Sequence, residues 1–282
     1  MPLHDLSYQH FDGPRTSRFN RSFSLARSSA ALLLKRRSFL LLLAASWIPV
    51  LARMAQIYVA RRFPQAFPFI TVDAALWQEF LSQQVVFLPV ILVALVTGAG
   101  AISTDLSSGA FVVYLSKPIS RIDYVFGKAM PVMAALLVVT LVPALTLLVV
   151  HVFVAEDIEL FAASPFLPLS VVVYSVWICL YFTLTVLAIS SLTRSTRVAG
   201  AGFGALALGS RVIFSDALSR LRFDQPLAFL SMIDSTVDSG HLFFGNAASA
   251  TTPFLSIATM VSLMVASLAV LRWRLRSAEV SS

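Results

Sequence analysis

Apolar residues in this chain do not fall on one face of an amphipathic helix, nor do they alternate as in a half-buried strand. They gather into six runs, at 38–58, 84–102, 129–154, 166–192, 198–215 and 253–271. A helix of about 20 apolar residues crosses a hydrocarbon core of about 30 Å, and each run comes close to or exceeds that length. In lipid the backbone is satisfied only inside helices or closed barrels, and these runs lack the alternation of barrel strands. The pattern therefore predicts an all-α integral membrane protein with six transmembrane helices. Ahead of the first run, Phe23, Ala26, Ala30, Leu33 and Leu34 recur at helical spacing beside Arg27, Lys35 and Arg36. That predicts an N-terminal helix lying in the membrane interface. Residues 1–20 are polar and aperiodic, carry Gly13-Pro14, and read as disordered.

Composition agrees and excludes a soluble fold. Hydrophobic residues make up 58% and charged residues 12%, against about 45–50% and about 25% in soluble domains. Mean hydropathy is +0.84. The net charge of +7 is unevenly distributed. Six spans put both termini on one side. Most of the 21 basic residues lie there: Arg15, Arg18, Arg21, Arg27, Lys35, Arg36 and Arg37, then Lys117, Arg121 and Lys128, then Arg194 and Arg197, then Arg272, Arg274 and Arg276. Arg53, Arg61, Arg62, Arg211, Arg220 and Arg222 remain for the other side. The positive-inside rule places both termini and the 98–128 segment in the cytoplasm, and a bacterial inner membrane is the expected location. The basic collar serves topology and contact with anionic lipid rather than nucleic acid. The N-terminal stretch lacks the layout of a cleaved secretory signal and is expected to be retained. The expected organisation is a basic N-terminus with its interfacial helix (1–37), a six-helix transmembrane domain (38–271) and a cytoplasmic tail (272–282). The outer loop 216–252, half apolar and too short for a domain, is expected to hold short helices or re-entrant pieces on the outer rim.

Between the second and third runs the chain changes character. Residues 98–128 are polar, basic and punctuated by Gly, Ser and Pro. A short amphipathic piece hung between two spans cannot fold as a domain, but a soluble partner can grip it. Residues 105–115 can form one short helix. Lys117-Pro118 should end it, because the residue before a proline is pushed out of helical geometry. Ser120-Arg121-Ile122-Asp123 fits a capping box, so a new helix should begin near Arg121 and emerge as the third span. Phe111, Tyr114 and Leu115 add the exposed aromatic and apolar groups that docking surfaces use beside basic residues. The plainer alternative is a cytoplasmic loop held only by lipid headgroups.

The segment resembles the ABC-2 family of ABC exporter permeases. Members carry an acidic residue four before a glycine after the second span, a leucine-rich turn, a P-[IV]-S-R segment, and Gly-Lys entering the third span. The matching residues here are Asp105, Gly109, Leu115, Pro118-Ile119-Ser120-Arg121 and Gly127-Lys128. Asp105 stands where Glu is commoner, and Ala110 where Thr often follows the glycine. The compact, single-domain, six-span members are the most similar. The resemblance implies that segment 103–127 acts as a cytoplasmic coupling helix, through Asp105, Gly109, Phe111, Tyr114, Leu115, Lys117, Pro118 and Arg121. It implies two copies of a separate ATPase subunit docked beneath it. It also implies a second permease subunit, as a homodimer, with Gly200, Gly204 and Arg211 of the fifth span at the cavity or dimer interface.

Other motifs carry less. A phosphate-cradling loop needs G-x-x-x-x-G-K-[ST]. Ala129 follows the single Gly-Lys, and Ile122 occupies the first glycine position. This chain is thus expected to bind no cofactor, with ATP and Mg held by the partner. Gly200, Gly202, Gly204 and Gly209 suit close helix approach better than a dinucleotide loop. Asp234, Asp238 and His241 could hold a cation, but a solvated outer loop is the commoner meaning of such a trio. The pairs Met130/Met133 and Met260/Met264 suit packing better than a soft metal, and no metal site is expected. Arg53 and Arg211 are the charges most embedded in apolar sequence. Snorkelling explains Arg53, whereas Arg211 divides evenly between snorkelling and facing a cavity or partner. Pro49, Pro89 and Pro143 mark kinks. Cys179 is the single cysteine, so no disulfide can form within the chain. With no nucleophile–base pair in view, an intramembrane enzyme ranks last. A membrane scaffold for a soluble complex is the alternative to a permease subunit.

Overall fold

The computed structural model describes residues 18–63, 84–110, 120–155, 165–217, 227–244 and 252–280, and every regular element among them is helical. Helix α1 (Arg18–Leu34) precedes a first span built of α2 (Arg37–Ser46) and α3 (Ile48–Arg62). The next three spans are α4 (Gln84–Ser108), α5 (Arg121–Ala155) and α6 (Leu167–Leu192). The fifth starts as α7 (Thr196–Gly204) and continues in π-helical turns at Ala205–Gly209 and Val212–Ala217. A 3₁₀ turn (Leu227–Leu230) and α8 (Met232–Phe243) follow, and α9 (Thr252–Val280) is the sixth. All six apolar runs are helices long and apolar enough to cross a membrane. The chain is an all-α integral membrane protein.

The ends of the spans differ from the hydropathy reading where charge and capping decide. The third helix begins at Arg121, well before its apolar run. Hydropathy reports the lipid-buried length, whereas the cap sets the helix start. The first span is interrupted at Trp47, whose amide reaches back only three residues to the Ala44 carbonyl at 3.2 Å. Pro49 lies in the opening turn of α3, where its missing N–H is tolerated. Pro89, Pro131 and Pro143 lie inside unbroken helices.

The fourth span is the hub. Two-thirds of its apolar window (67%) is buried against 17% for the first span, as expected of a helix apolar on every side. Spans two and four come unusually close at Gly98, where an added Cβ would sit 2.4 Å from a Val186 methyl. Without a hydrophobic drive between helices in lipid, such small-residue contacts supply the packing. Hydroxyls within the spans bond their own turns: Thr97 Oγ1 to the Val93 carbonyl at 2.7 Å, Thr140 to Leu136 at 2.9 Å and Thr185 to Tyr181 at 2.8 Å. At the C-terminal end of the second span, Ser190 Oγ donates to the Ala99 carbonyl (2.8 Å) and accepts from the Ile102 and Ser103 amides. Ser103 and Thr104 both approach Thr196 Oγ1, at 3.2 and 3.3 Å. The start of the fifth span is thus tied to the end of the second.

Among its described residues the 216–252 segment does contain short helices, but α8 does not rest loosely on a rim. Met232, Ile233, Ser235, Thr236, Ser239 and Gly240 are buried. Tyr174 Oη donates to the Thr236 carbonyl at 2.5 Å, and Phe243 and Phe244 pack on the Tyr174 ring. Asp234, Asp238 and His241 are therefore not the residues of a solvated loop. They lie on a half-buried helix, where Asp238 accepts from Ser256 Oγ at 3.1 Å. Asp234 accepts from Ser215 Oγ.

Candidate functional site

Three side chains close the neck of the segment between spans two and three. Asp105 lies one turn before the end of α4, and Tyr124 and Lys128 lie on the first two turns of α5. Tyr124 Oη donates to Asp105 Oδ2 at 2.7 Å, and Lys128 Nζ meets the same oxygen at 2.7 Å. The ammonium also stands 5.8 Å from the centre of the Tyr124 ring. Tyr124 is fully buried, and the Asp105 and Lys128 side chains are only 13% and 11% exposed. Sharing Asp105 Oδ2 among a cation and a phenol offsets the desolvation of the carboxylate, which an isolated buried charge could not bear. The two helix ends are thus clamped together.

The chain leaves the clamp through built stops. Ser107 and Ser108 return their hydroxyls to the Thr104 carbonyl, each at 2.9 Å. Gly109 then takes φ +70°, the left-handed geometry that ends helices and favours glycine. A single helix over 105–115 is therefore excluded: Asp105 belongs to the second span, and the chain turns at Gly109. On the return side, the Ser120 amide donates to Asp123 Oδ2 at 3.1 Å, and the Asp123 amide donates to Ser120 Oγ at 3.2 Å. This is the reciprocal capping box expected from the sequence. Arg121 is half-buried in the first turn of α5. Ile122 and Phe126, one turn apart beside it, are 72% and 48% exposed.

Among the site residues expected from sequence, Asp105, Gly109 and Arg121 are thus placed at the two ends of the segment. Phe111, Tyr114, Leu115, Lys117 and Pro118 lie outside the described residues. Lys128, which in the sequence belongs only to the Gly-Lys motif, pairs with Asp105. Tyr124, one turn into its span helix, carries an apolar ring and a polar hydroxyl, the amphipathic form that suits a partner for a buried acidic residue.

The fifth-span residues separate. Gly200 is buried within the chain, and a Cβ there would touch Leu95 and Ala99 at ordinary distance. Gly204 and Gly209 face open space. Arg211 sits between the two π-helical turns and reaches Asp234 Oδ1 at 3.9 Å, while Ser210 Oγ accepts from the Met232 amide at 3.0 Å. π-turns recur where a helix must redirect side chains, and here they aim Ser210 and Arg211 at α8. Burial pushes the Asp238 carboxyl above its ordinary range. The Ser256 bond and His241 oppose that rise, and Asp234 adds to it.

Among the described residues no cluster of three metal-ligating side chains occurs. A search of curated proteins finds no match. A family model described as "ABC-2 family transporter protein" matches residues 65–271.

Proposed function

The chain belongs to the ABC-2 family, the membrane-spanning components of ABC transporters, and from that premise we propose that it is the permease subunit of an ATP-driven exporter. A separate ATPase, present as two copies, would bind and hydrolyse ATP with Mg. It would grip the segment 103–127 from the cytoplasm, with Phe111, Tyr114, Leu115, Lys117 and Pro118 as the grip. A second permease copy would complete the pathway, with the open faces of Gly204 and Gly209 toward it and Arg211 near the cavity. The distribution of Lys and Arg supports an orientation with both termini in the cytoplasm, in what we take to be the inner membrane.

The observation that carries the reading is the clamp. A partner's push is useful only if the pushed segment is joined rigidly to the spans. Asp105, Tyr124 and Lys128 make that joint within one hydrogen-bonded group. The exposed pair Ile122 and Phe126 extends the apolar surface at the same end. The test is co-expression with an ABC ATPase subunit from the same genome, followed by detergent extraction. The ATPase should follow the affinity-tagged chain, and Tyr114→Arg should release it while leaving the permease folded. If no ATPase follows the unaltered chain, or if Tyr114→Arg leaves the complex and its ATPase activity unchanged, the reading fails.

A further inference from the structure

A cleft of about 160 Å³ opens beside the clamp, between α1 and the inner ends of spans two and three. Its walls divide chemically. Leu32, Leu33, Val96 and Val132 make an apolar side. Ser29, Arg36, Thr104 and the Asp105–Lys128 pair make a polar one. Lys128 is already balanced by Asp105 at 2.7 Å. The exposed guanidinium of Arg36 therefore leaves the rim with an excess of positive charge. Arg36 sits in an extended link between α1 and α2, and its amide bonds the Leu33 carbonyl at 3.0 Å, which fixes it at the cleft's edge. A cavity of this size is smaller than the roughly 300–1,000 Å³ of drug-sized pockets. It suits a headgroup rather than a whole cargo molecule.

We infer that this cleft holds the phosphate-bearing headgroup of an anionic membrane glycerolipid. The phosphate meets Arg36 and the hydroxyls of Ser29 and Thr104, and the start of the acyl chains lies along Leu32, Leu33 and Val132. Charge complementarity and the split between apolar and polar walls select this occupant over a zwitterionic lipid, whose own cation Arg36 repels. A bound lipid joins α1 to the clamp from outside the protein. The inference does not rest on the coupling reading, because its test involves neither an ATPase nor transport.

The full-length protein, delipidated in detergent, is titrated with phosphatidylglycerol, phosphatidylcholine, glycerol 3-phosphate or inorganic phosphate. Native mass spectrometry counts adducts, and thermal unfolding follows in parallel. Phosphatidylglycerol should bind with the higher affinity and raise Tm most. Arg36→Gln should weaken its binding about fivefold, the share of one basic residue at a membrane surface. Leu33→Trp, which fills the cleft and keeps every charge, should abolish the preference, and Arg272→Gln should leave it intact. Equal binding of the two lipids overturns the inference. So does an Arg36→Gln protein that behaves as the unaltered one, and so does equal stabilisation by either soluble phosphate.

Discussion

Replacing Lys128 with methionine tests whether the neck between spans two and three is held by charge. At 2.7 Å and an effective dielectric near 20, the attraction between Lys128 and Asp105 is roughly 6 kcal/mol. Desolvating each ion takes back several kcal/mol, so the pair is worth far less than that as a net contribution. Removing one partner is a different matter. Lys128→Met leaves the Asp105 carboxylate buried with only the Tyr124 hydroxyl, a loss of about 3–5 kcal/mol for a pair this secluded. For a chain of this size that lowers Tm by roughly 6–15 °C. Asp105→Asn should cost a similar amount, because it removes the carboxylate charge from beside the ammonium while the amide oxygen still accepts from Tyr124. The double variant Asp105→Asn/Lys128→Met should recover at least half of the loss, because neither charge remains. Thermal unfolding of the four detergent-solubilised proteins gives the coupling energy directly. Strict additivity, with the double variant as unstable as the two losses combined, refutes the clamp. So does a Lys128→Met protein within about 0.5 kcal/mol of the unaltered one, the usual effect of an uninvolved surface change.

Three further outcomes follow from local geometry. Gly98→Ala should destabilise by about 1–3 kcal/mol, since the new methyl would lie 2.4 Å from Val186, and pairing it with Val186→Ala should restore most of the Tm. Gly109→Ala should cost about 1–2 kcal/mol at its φ of +70°. Gly109→Asn should cost less, because asparagine tolerates left-handed geometry; equal losses in unfolding assays would show that φ is not the constraint. Asp238 has its folded value raised, chiefly by burial. Its stabilising contribution is present in full below its ordinary value of 3.8 and fades as pH rises through the raised one. Asp238→Asn should therefore gain Tm over the unaltered protein as pH climbs from 4 to 7.5, and a pH-independent difference would contradict that sign.

The local layer of this molecule was legible in the residues. Six apolar runs became six span helices because lipid leaves the backbone few alternatives. The Ser120–Asp123 box, a short-range exchange of two hydrogen bonds, formed as written. Pro49 marked the break in the first span, but the helix expected over 105–115 stops at Gly109. Residues 111–119, which include those proposed to meet a partner, lie outside the described residues.

Sequence alone determined that the chain is a six-span helical membrane protein, and, through the Ser120–Asp123 box, where its third span begins. Hydropathy, capping and φ preference act over one to four residues, or add up along one run. Tertiary structure alone decided which side chains meet. Tyr124 answers Asp105 across 19 positions of chain, and Tyr174 answers Thr236 across 62. It also decided that Asp234 and Asp238 are sheltered, and that the fifth span takes π turns to bring Ser210 and Arg211 to α8. Those pairings depend on how closely two helices cross, which is set by the fit of whole surfaces, such as Gly98 against Val186, and leaves no periodic trace in the chain.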